Sequence, residues 1–383
     1  MKYLSENVIK NKRVILRCDF NVPIKDGVIL DTSKITKSLE TINYLLGNNN
    51  FVIILSHFGR VKSEEDKINN SLEAVYKFLK KYIDIDFAKN PLNLEEVTSV
   101  TTKKCILVEN TRFTDVPEKK ESANDLELAK YWSTFADAFV LDAFASMHRA
   151  HSSTAGISMY LETYIGFLAE KELNNLYPLV ENTPHPFTVI MGGAKVDDKI
   201  KIIESILKRC DKLILTGGIL NTFLKVKGIN VGNSLVSDDA KVLDSVKKVL
   251  DNYANKLFFT DSFIVKRNET NVKVVMKDIL NDDIIYDNIP NVSSILKESQ
   301  IVFFNGTCGK YEESSYECGT FKLLRELNDC GALVYVGGGD TVSAVNKFGF
   351  TNSYRYLSSG GGATLEYVAY GKLKALEFIE ENN

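Results

Sequence analysis

The sequence predicts an α/β protein built from two Rossmann-like domains, each with a parallel sheet, that are joined by a hinge helix. Short apolar runs alternate with longer helix-like segments from residue 14 to residue 141, which is typical of a parallel sheet covered by helices. The same alternation starts again after Pro184-His185-Pro186 and continues to Val336. A length of 383 residues also exceeds one ordinary hydrophobic core, which favours two domains.

The first domain is predicted over residues 1–165, with a helix at Leu72–Tyr82. Its apolar runs predict strands at Val14–Leu16, Phe51–Leu55, Ile106–Val108 and Ala138–Leu141. The hinge helix is predicted within residues 166–182, where leucines recur at helical spacings at positions 168, 173, 176 and 179. The second domain, residues 183–365, has predicted strands at Phe187–Met191, Leu213–Leu215, Leu257–Phe259, Ile301–Phe304 and Ala332–Val336.

The overall composition excludes several classes of partner and site. Apolar residues make up 44% and charged residues 25% of the chain, and the net charge is −3, so no general basic excess attracts nucleic acid or membrane. No run approaches the roughly 20 apolar residues of a membrane span, and the N-terminus lacks a signal-peptide core, so we expect a cytoplasmic protein. Six scattered cysteines without a CxxC pair indicate neither a zinc site nor a disulfide framework.

Cationic, imidazole and other polar side chains follow the predicted strands of the first domain. In chain order they are Arg17, Asp19 and Asn21, then His57 and Arg60, then Arg112, then Asp142, His148, Arg149 and His151. Ligands bind at the carboxyl ends of strands in open parallel sheets. Each residue taken singly fits a surface charge or a structural group, but their repetition at strand ends predicts a site for phosphate or carboxylate groups.

Glycine-rich turns follow the predicted strands of the second domain. They include Gly192-Gly193, Gly217-Gly218 and Asn305-Gly306, with Glu312 further on, and two turns that each open a helix-like stretch, Gly337-Gly338-Gly339-Asp340-Thr341 and Gly360-Gly361-Gly362-Ala363. Glycine permits close approach of a ligand to the backbone, and helix N-termini attract anions. Asp340 adds a ligand for a nucleotide-bound Mg²⁺. The turns therefore predict a site for nucleotide phosphates.

Two lysines strengthen the prediction of a nucleotide site. Lys195 and Lys199 are four residues apart, so we expect them on one helical face with both ammonium groups able to reach one triphosphate. The chain contains no GxxxxGK[ST] motif, and no GxGxxG follows a predicted strand, which excludes a P-loop enzyme and disfavours a dehydrogenase. A kinase of another kind is predicted.

The order of these motifs resembles the phosphoglycerate kinase family over nearly the whole chain. The resemblance rests on Arg17-Cys18-Asp19-Phe20-Asn21-Val22-Pro23, Ser56-His57-Phe58-Gly59-Arg60, Glu109-Asn110-Thr111-Arg112-Phe113, Asp142-Ala143-Phe144, His148-Arg149-Ala150-His151, Gly192–Lys199 and the later glycine-rich turns. It implies reversible phosphoryl transfer between 1,3-bisphosphoglycerate and Mg-ADP by hinge-bending closure. It also implies an acid-binding first domain, a nucleotide-binding second domain, a C-terminal tail over residues 366–383 that returns to the first domain, and a monomer.

The resemblance also implies roles for individual residues. For the acid, they are Arg60, Arg112 and Arg149 on the 3-phosphate, Asp19, Asn21 and His57 on the glycerate end, and Arg17 and His148 in the same substrate site. For the nucleotide, they are Gly193, Lys195, Lys199, Gly217, Gly218, Asn305, Gly338, Gly339, Asp340 and Thr341, with Glu312 on the ribose and Asp340 on Mg²⁺. Lys34, Lys195, Gly361 and Gly362 are the implied catalytic residues.

The sequence departs from the family pattern at several positions. Lys34 stands where the family carries the arginine that contacts the transferring phosphoryl group, so the charge is kept and the bidentate fork is lost. Other departures are Val61, Leu141, Ala145, Thr216, Thr307-Cys308 and Lys310. Besides an active phosphoglycerate kinase, two alternatives stay open: a related carboxylate kinase acting on another phosphorylated acid, and a non-catalytic ligand-binding paralogue.

Overall fold

The computed structural model describes residues 1–382, with the backbone alone at residue 97, as two compact units. The first unit comprises Met1–Asn174 and the chain from Lys372 onward, and the second comprises Asn175–Gly371. The chain therefore leaves the first unit inside the helix Phe167–Leu176, which lies in the segment expected to connect two domains. The returning tail starts at Lys372 and not at residue 366, because Gly362–Tyr370 is a helix that packs within the second unit.

The first unit is organised around a seven-stranded sheet in which every neighbouring pair is parallel. The strand order is β1-β9-β8-β2-β5-β7-β6, with β3 and β4 forming a separate antiparallel hairpin. The bounds are β1 Lys2–Tyr3, β2 Arg13–Arg17, β3 Ile24–Lys25, β4 Val28–Ile29, β5 Phe51–Leu55, β6 Asp86–Ala88, β7 Cys105–Val108, β8 Ala138–Leu141 and β9 Thr163–Ile165. The four strands predicted from apolar runs are the four at the centre of this sheet, which confirms the predicted parallel arrangement.

Helices cover this sheet by burying one apolar face each. In α1, for example, Ile35, Ile42 and Leu45 are buried while exposed polar residues occupy the other face. The bounds are α1 Ser33–Gly47, α2 Glu64–Asn69, α3 Glu73–Leu79, α4 Leu94–Thr98, α5 Leu126–Ser133 and α6 Phe167–Leu176. Asp142, which follows β8, accepts a hydrogen bond from Ala169 N–H in the first turn of α6, so this carboxylate belongs to a helix start rather than to the cationic residues around it.

The second unit contains a six-stranded parallel sheet with the order β12-β11-β10-β16-β17-β18. Its strands are β10 Phe187–Met191, β11 Lys212–Leu215, β12 Leu257–Phe259, β16 Ile301–Asn305, β17 Leu333–Gly337 and β18 Tyr356–Ser358. A three-stranded antiparallel sheet, which the sequence did not predict, consists of β13 Ser262–Arg267, β14 Thr270–Val275 and β15 Ile284–Asn288. The predicted α/β fold with two parallel sheets is confirmed, with this smaller sheet added.

The remaining helices complete the two units. They are α7 Ile200–Leu207, α8 Gly217–Val226, α9 Ala240–Tyr253, α10 Ser293–Glu298, α11 Cys318–Asn328, α12 Gly339–Lys347 and α13 Gly362–Tyr370 in the second unit, and α14 Lys374–Asn382 in the first. Among the described residues, no helix combines the length and apolarity that crossing a membrane requires. The six cysteines are free thiols, and five of them are buried.

Candidate active site

The cationic residues of the first unit follow four strands that are direct neighbours in its sheet. The strands β8, β2, β5 and β7 stand in that order, and the residues after them come from residues 142–151, 19–21, 57–60 and 112. Because parallel strands end at the same edge of a sheet, the topology brings these segments together. The cationic cluster, defined here as Arg17, His57, Arg60, Arg112, His148 and Arg149, lies at that edge.

Burial, and then the arginine charges of this cluster, lower the pKa values of His57, His148 and His151. Burial and the Arg17 guanidinium lower the pKa of His57 well below its usual range. Burial and Arg149 lower the pKa of His148 to about 4, and burial with Arg17 lowers the pKa of His151 to about 3. The three imidazoles are therefore neutral at physiological pH, and each offers one N–H donor and one acceptor while the positive charge of the cluster comes from arginine and lysine.

Arg17, predicted to bind substrate, is completely buried at the end of β2. Its Nε donates to Ser153 Oγ at 2.7 Å, and one terminal nitrogen lies 3.0 Å from His57 Nδ1. A further terminal nitrogen donates to the carbonyl of Cys18. The guanidinium therefore supports His57 from inside the protein, and direct contact of Arg17 with a substrate stays a prediction.

Arg60 and Arg112 line one cavity of about 500 Å³. Lys62 and Lys119 line the same cavity, and neither lysine was among the predicted site residues. Arg112 is largely buried and donates to the carbonyl of Gly59, while its buried Nε has no hydrogen-bond partner among the described residues. Burial and the nearby Arg149 lower the pKa of Arg112, which indicates that both guanidinium charges act on one region. Such a concentration of cations is suited to a multiply charged anion.

Lys34 lies in the first turn of α1 and is paired with Asp19. Its Nζ is 2.8 Å from Asp19 Oδ2 and 3.4 Å from the carbonyl of Asn21. Burial opposes ionisation of Asp19, yet the charge and hydrogen bond of Lys34, together with the hydrogen bond from Asn21 N–H, leave the pKa of Asp19 below its usual value. Asn21 in turn accepts a hydrogen bond from Gly59 N–H at 3.1 Å, so the predicted residues Asp19, Asn21 and Lys34 form one contiguous group.

The glycine turns of the second unit follow five neighbouring strands. They lie after β11, β10, β16, β17 and β18, which are adjacent in that order. Gly338, with φ 101°, caps α12, and Gly361, with φ 56°, caps α13, so both predicted turns open helices. The first N–H groups of a helix have no carbonyl partner within the helix, so the starts of α12 and α13 are suited to an anion.

A cavity of about 280 Å³, named here the glycine cavity, lies beside these turns. Its lining residues are Gly193, Ala194, Gly217, Gly218, Asn221, Leu235, Ile284, Ile285, Tyr286, Asn288, Thr307, Cys308, Gly309, Lys310, Glu312 and Asp340. The strand ends approach so closely that a Cβ at Gly306, where φ is 90°, would lie 2.1 Å from the carbonyl oxygen of Gly192. A wall made of backbone, apolar side chains and a few polar groups is typical of a nucleotide pocket.

Lys199 joins the ends of β10 and β16 in this unit. Its Nζ donates to Gly192 O and to Asn305 Oδ1, each at 2.8 Å. Burial lowers its pKa to about 8, against the opposing charges of Asp340 and Asp198. Asn305 also donates to Gly337 O at 2.7 Å, and Thr341 Oγ1 accepts from Gly306 N–H at 2.7 Å, so the predicted residues Lys199, Asn305 and Thr341 form one network.

Lys195 does not share a helical face with Lys199, so that prediction is wrong. The helix α7 begins at Ile200 with Lys199 as its N-cap, and Lys195 lies exposed in the preceding loop. Gly193 adopts φ 114°, and residues 197–199 form a turn before the helix begins, so Lys195 lies outside the helix. The two lysines therefore belong to a loop and to a helix start.

The described residues contain no group of three or more His, Cys, Asp or Glu side chains arranged to hold a metal ion by themselves. Asp340 is exposed in the first turn of α12 and is a single carboxylate near Lys199. Mg²⁺ in phosphoryl-transfer sites is commonly held by one or two carboxylates, by substrate phosphates and by waters. Asp340 fits a cation of that kind, delivered with a nucleotide.

Comparisons with known proteins agree over nearly the full length. The family model described as phosphoglycerate kinase matches residues 4–372. The phosphoglycerate kinase of Lacticaseibacillus casei is 39% identical and that of Mycoplasmoides gallisepticum 37%, and each alignment covers 99% of this chain and 98% of the relative. The structure of phosphoglycerate kinase from Coxiella burnetii superposes with a TM-score of 0.84 at 32% identity and covers 99% of this chain and 98% of that one.

These matches confirm the family that the order of motifs indicated, together with its two-sheet α/β fold. Members of the family are phosphotransferases that use a carboxyl group as acceptor and ATP or ADP as the nucleotide. On these grounds, the chain belongs to the phosphoglycerate kinase family.

Proposed function

We propose that this chain transfers a phosphoryl group reversibly between 1,3-bisphosphoglycerate and Mg-ADP, giving 3-phosphoglycerate and ATP. The observation that supports the proposal is that each unit has its own cavity, lined by arginine and lysine in the first unit and by glycine-rich turns in the second. A phosphorylated acid and a nucleotide are the two ligands that such a pair of regions fits.

The acid is held by the cationic cluster in this proposal. Arg60, Arg112 and Arg149 bind its 3-phosphate, since bidentate guanidinium contacts are the strongest available to a phosphate oxygen pair. Asp19, Asn21 and the neutral imidazoles of His57 and His148 bind the glycerate end. An unphosphorylated acid would leave this concentration of positive charge without compensation, which favours a phosphorylated substrate.

The nucleotide is held by the second unit. Glu312 lines the glycine cavity and binds the ribose, while Gly193, Gly217 and Gly218 let the ligand approach the backbone. Lys195, Lys199 and Asn305 bind the phosphates, with the helix start Gly338–Thr341 beside them. Asp340 holds Mg²⁺, which supplies neutralisation of charge on the nucleotide phosphates.

Catalysis on this proposal consists of positioning and charge neutralisation. The accepting carboxylate is already ionised at neutral pH, so no general base is required, in agreement with histidines that are neutral and serve as hydrogen-bond donors. Lys34, Lys195 and the N–H groups of Gly361 and Gly362 stabilise the transferring phosphoryl group. Because the two ligands belong to different units, transfer requires hinge bending where the chain passes between units, near residues 174 and 371.

The test is a coupled assay of purified protein with Mg-ATP and 3-phosphoglycerate, beside Lys195→Ala and Lys199→Ala variants. Turnover that depends on both substrates and is lost in the lysine variants supports the proposal. Turnover with another phosphorylated acid alone would favour a related carboxylate kinase. Binding of both ligands by calorimetry without turnover in either direction would identify a non-catalytic paralogue.

The remaining expectations belong to the same proposal and have their own measurements. We propose that the enzyme works as a cytoplasmic monomer and requires Mg²⁺. Sedimentation equilibrium tests the monomer, activity in the presence of a chelator with and without added Mg²⁺ tests the metal, and fractionation of the source cells tests the compartment.

A further inference from the structure

Asn110 is a fully buried asparagine whose side chain uses every hydrogen bond it can make. Its Oδ1 accepts from Phe58 N–H and from Arg112 N–H, each at 3.0 Å. Its Nδ2 donates to Phe58 O at 2.6 Å and to Asn70 O at 2.8 Å. An asparagine amide has two donor hydrogens and two acceptor lone pairs, so no part of its capacity is left over.

These bonds join three segments that are distant in sequence. One is the loop after β5 that carries His57 and Arg60, the second is the turn at Asn70, and the third is the 3-10 helix Thr111–Asp115 that carries Arg112. Asn110 caps that 3-10 helix through its bond to Arg112 N–H. The side chain therefore fixes the backbone on which two of the phosphate-binding arginines stand.

A second asparagine extends the connection to Arg60. Asn70 donates from Nδ2 to the carbonyl of Arg60 at 3.3 Å and to Asp66 O at 2.7 Å. It packs so tightly against Gly59 that a Cβ there would lie 1.8 Å from Asn70 Oδ1. Arg112 itself donates to Gly59 O, so the loop is held from both sides.

We propose that Asn110 is a positioning residue that sets the spacing between Arg60 and Arg112, and hence the affinity for the phosphorylated acid. This inference rests on the proposed function of the cationic cluster. Aspartate at position 110 keeps the shape but has no donor, so it would turn a carboxylate oxygen towards the carbonyls of Phe58 and Asn70. The loop and the 3-10 helix would then separate, and small displacements of binding groups have large effects.

The first unit offers a matched control. Asn50 is also fully buried, accepts from Lys12 N–H at 3.0 Å, and donates to Ile9 O and Leu45 O at 2.8 Å each. Asn50→Asp therefore introduces the same chemical change at a site with no contact to the cationic cluster. The Asn50→Asp variant should lose stability, as Asn110→Asp does, but it should not change the spacing of the arginines.

The experiment compares wild type, Asn110→Asp and Asn50→Asp by steady-state kinetics and thermal unfolding. We expect the KM for 3-phosphoglycerate to rise about tenfold or more in Asn110→Asp, with the KM for Mg-ATP unchanged. Both constants should stay at wild-type values in Asn50→Asp. An unchanged acid KM in folded Asn110→Asp, an equal rise in both KM values, or the same rise in Asn50→Asp would each overturn the inference.

Two additions keep the test decisive. If Asn110→Asp does not fold, Asn70→Ala removes the bond to Arg60 O from a partly exposed position, and it must raise the acid KM selectively, or the inference fails. If wild type shows no turnover with 3-phosphoglycerate, the proposed function fails by itself. Calorimetric titration with inorganic pyrophosphate then measures anion affinity, which must weaken in Asn110→Asp and stay unchanged in Asn50→Asp.

Discussion

Lys34 Nζ lies 2.8 Å from Asp19 Oδ2, so the cation expected at the transferring phosphoryl group is paired with a carboxylate expected to bind the acid. Both side chains are at least partly buried, at 29% and 10% exposure, so the pair is stronger than an ordinary surface ion pair. An ammonium group has one centre of charge, and it must divide its donors between Asp19 and a phosphoryl oxygen. A guanidinium can serve both at once.

We therefore expect Lys34→Arg to raise kcat, by about tenfold, because the planar fork keeps the Asp19 contact and adds a second donor to the transition state. The KM for either substrate should change little. Lys37→Arg is the matched control, since Lys37 is exposed on the same helix and should leave kcat unchanged. A Lys34→Arg enzyme as slow as wild type or slower would mean that the site is adapted to lysine.

The pH dependence of kcat/KM for Mg-ATP should reflect the ionisation of the Lys199 ammonium group. Its pKa is lowered to about 8 by burial, so the ammonium is charged below that pH and neutral above it. Phosphates bind the charged form, and kcat/KM for Mg-ATP should therefore fall as the pH rises through about 8. In Lys199→Arg the charge persists at alkaline pH, so this fall should disappear, whereas Lys208→Arg at an exposed position should keep it. Identical alkaline profiles in all three proteins would exclude Lys199 as the titrating group.

Replacing Asp287 or Asp283 by asparagine should change the free energy of unfolding in opposite directions. Burial raises the pKa of Asp287 from its usual 3.8 to about 7, so its contribution to stability is complete below pH 3.8 and is lost as the pH rises through about 7. Asp287→Asn should therefore raise the free energy of unfolding by about 2 to 3 kcal/mol more at pH 8 than at pH 5, because about two pH units of this loss lie between the two conditions.

Asp283 provides the contrast, because Arg267 binds it with two hydrogen bonds at 2.7 and 2.6 Å and lowers its pKa. A depressed pKa contributes stability above the unfolded value, so Asp283→Asn should cost about 3 kcal/mol at both pH 5 and pH 8. Urea denaturation at the two pH values measures all three proteins. Destabilisation by Asp287→Asn that is larger at pH 8 than at pH 5 would contradict the argument.

Gly306 should tolerate no side chain. Its φ of 90° disfavours any residue with a Cβ, and that Cβ would lie 2.1 Å from Gly192 O. Gly349→Ala is the control, because φ there is 79° but no atom lies within 4 Å of the added Cβ. We expect about 1 kcal/mol of destabilisation in Gly349→Ala and at least about 3 kcal/mol in Gly306→Ala, with loss of ATP binding in the latter alone. Equal unfolding temperatures for the two variants would contradict the close approach of Gly306 to the carbonyl of Gly192.

Several elements escaped prediction for a common reason. The central strands are buried along most of their length and form continuous apolar runs, as at Phe51–Leu55, where all but the first residue are buried. In the antiparallel sheet, β13 instead mixes buried and partly buried positions and β14 is mostly exposed, and polar residues in Thr270–Val275 interrupt any apolar run. Strands β1, β6, β9 and β18 have only two or three residues each, too few for a periodic signal.

The sequence by itself determined the family and the two α/β halves, and it predicted which residues handle phosphate, because buried parallel strands and glycine turns leave local patterns. The tertiary structure decided which of those residues are exposed to a ligand and which hold others in place. In the folded chain Arg17 is buried beside His57, Lys195 lies in a loop, and Lys62 and Lys119 line the cavity that contains Arg60 and Arg112. The tertiary structure also revealed the four hydrogen bonds of Asn110, whose partners come from three segments of the chain. Burial and hydrogen bonding between distant segments depend on how the strands are ordered in the sheet, and that order is a property of the folded chain as a whole.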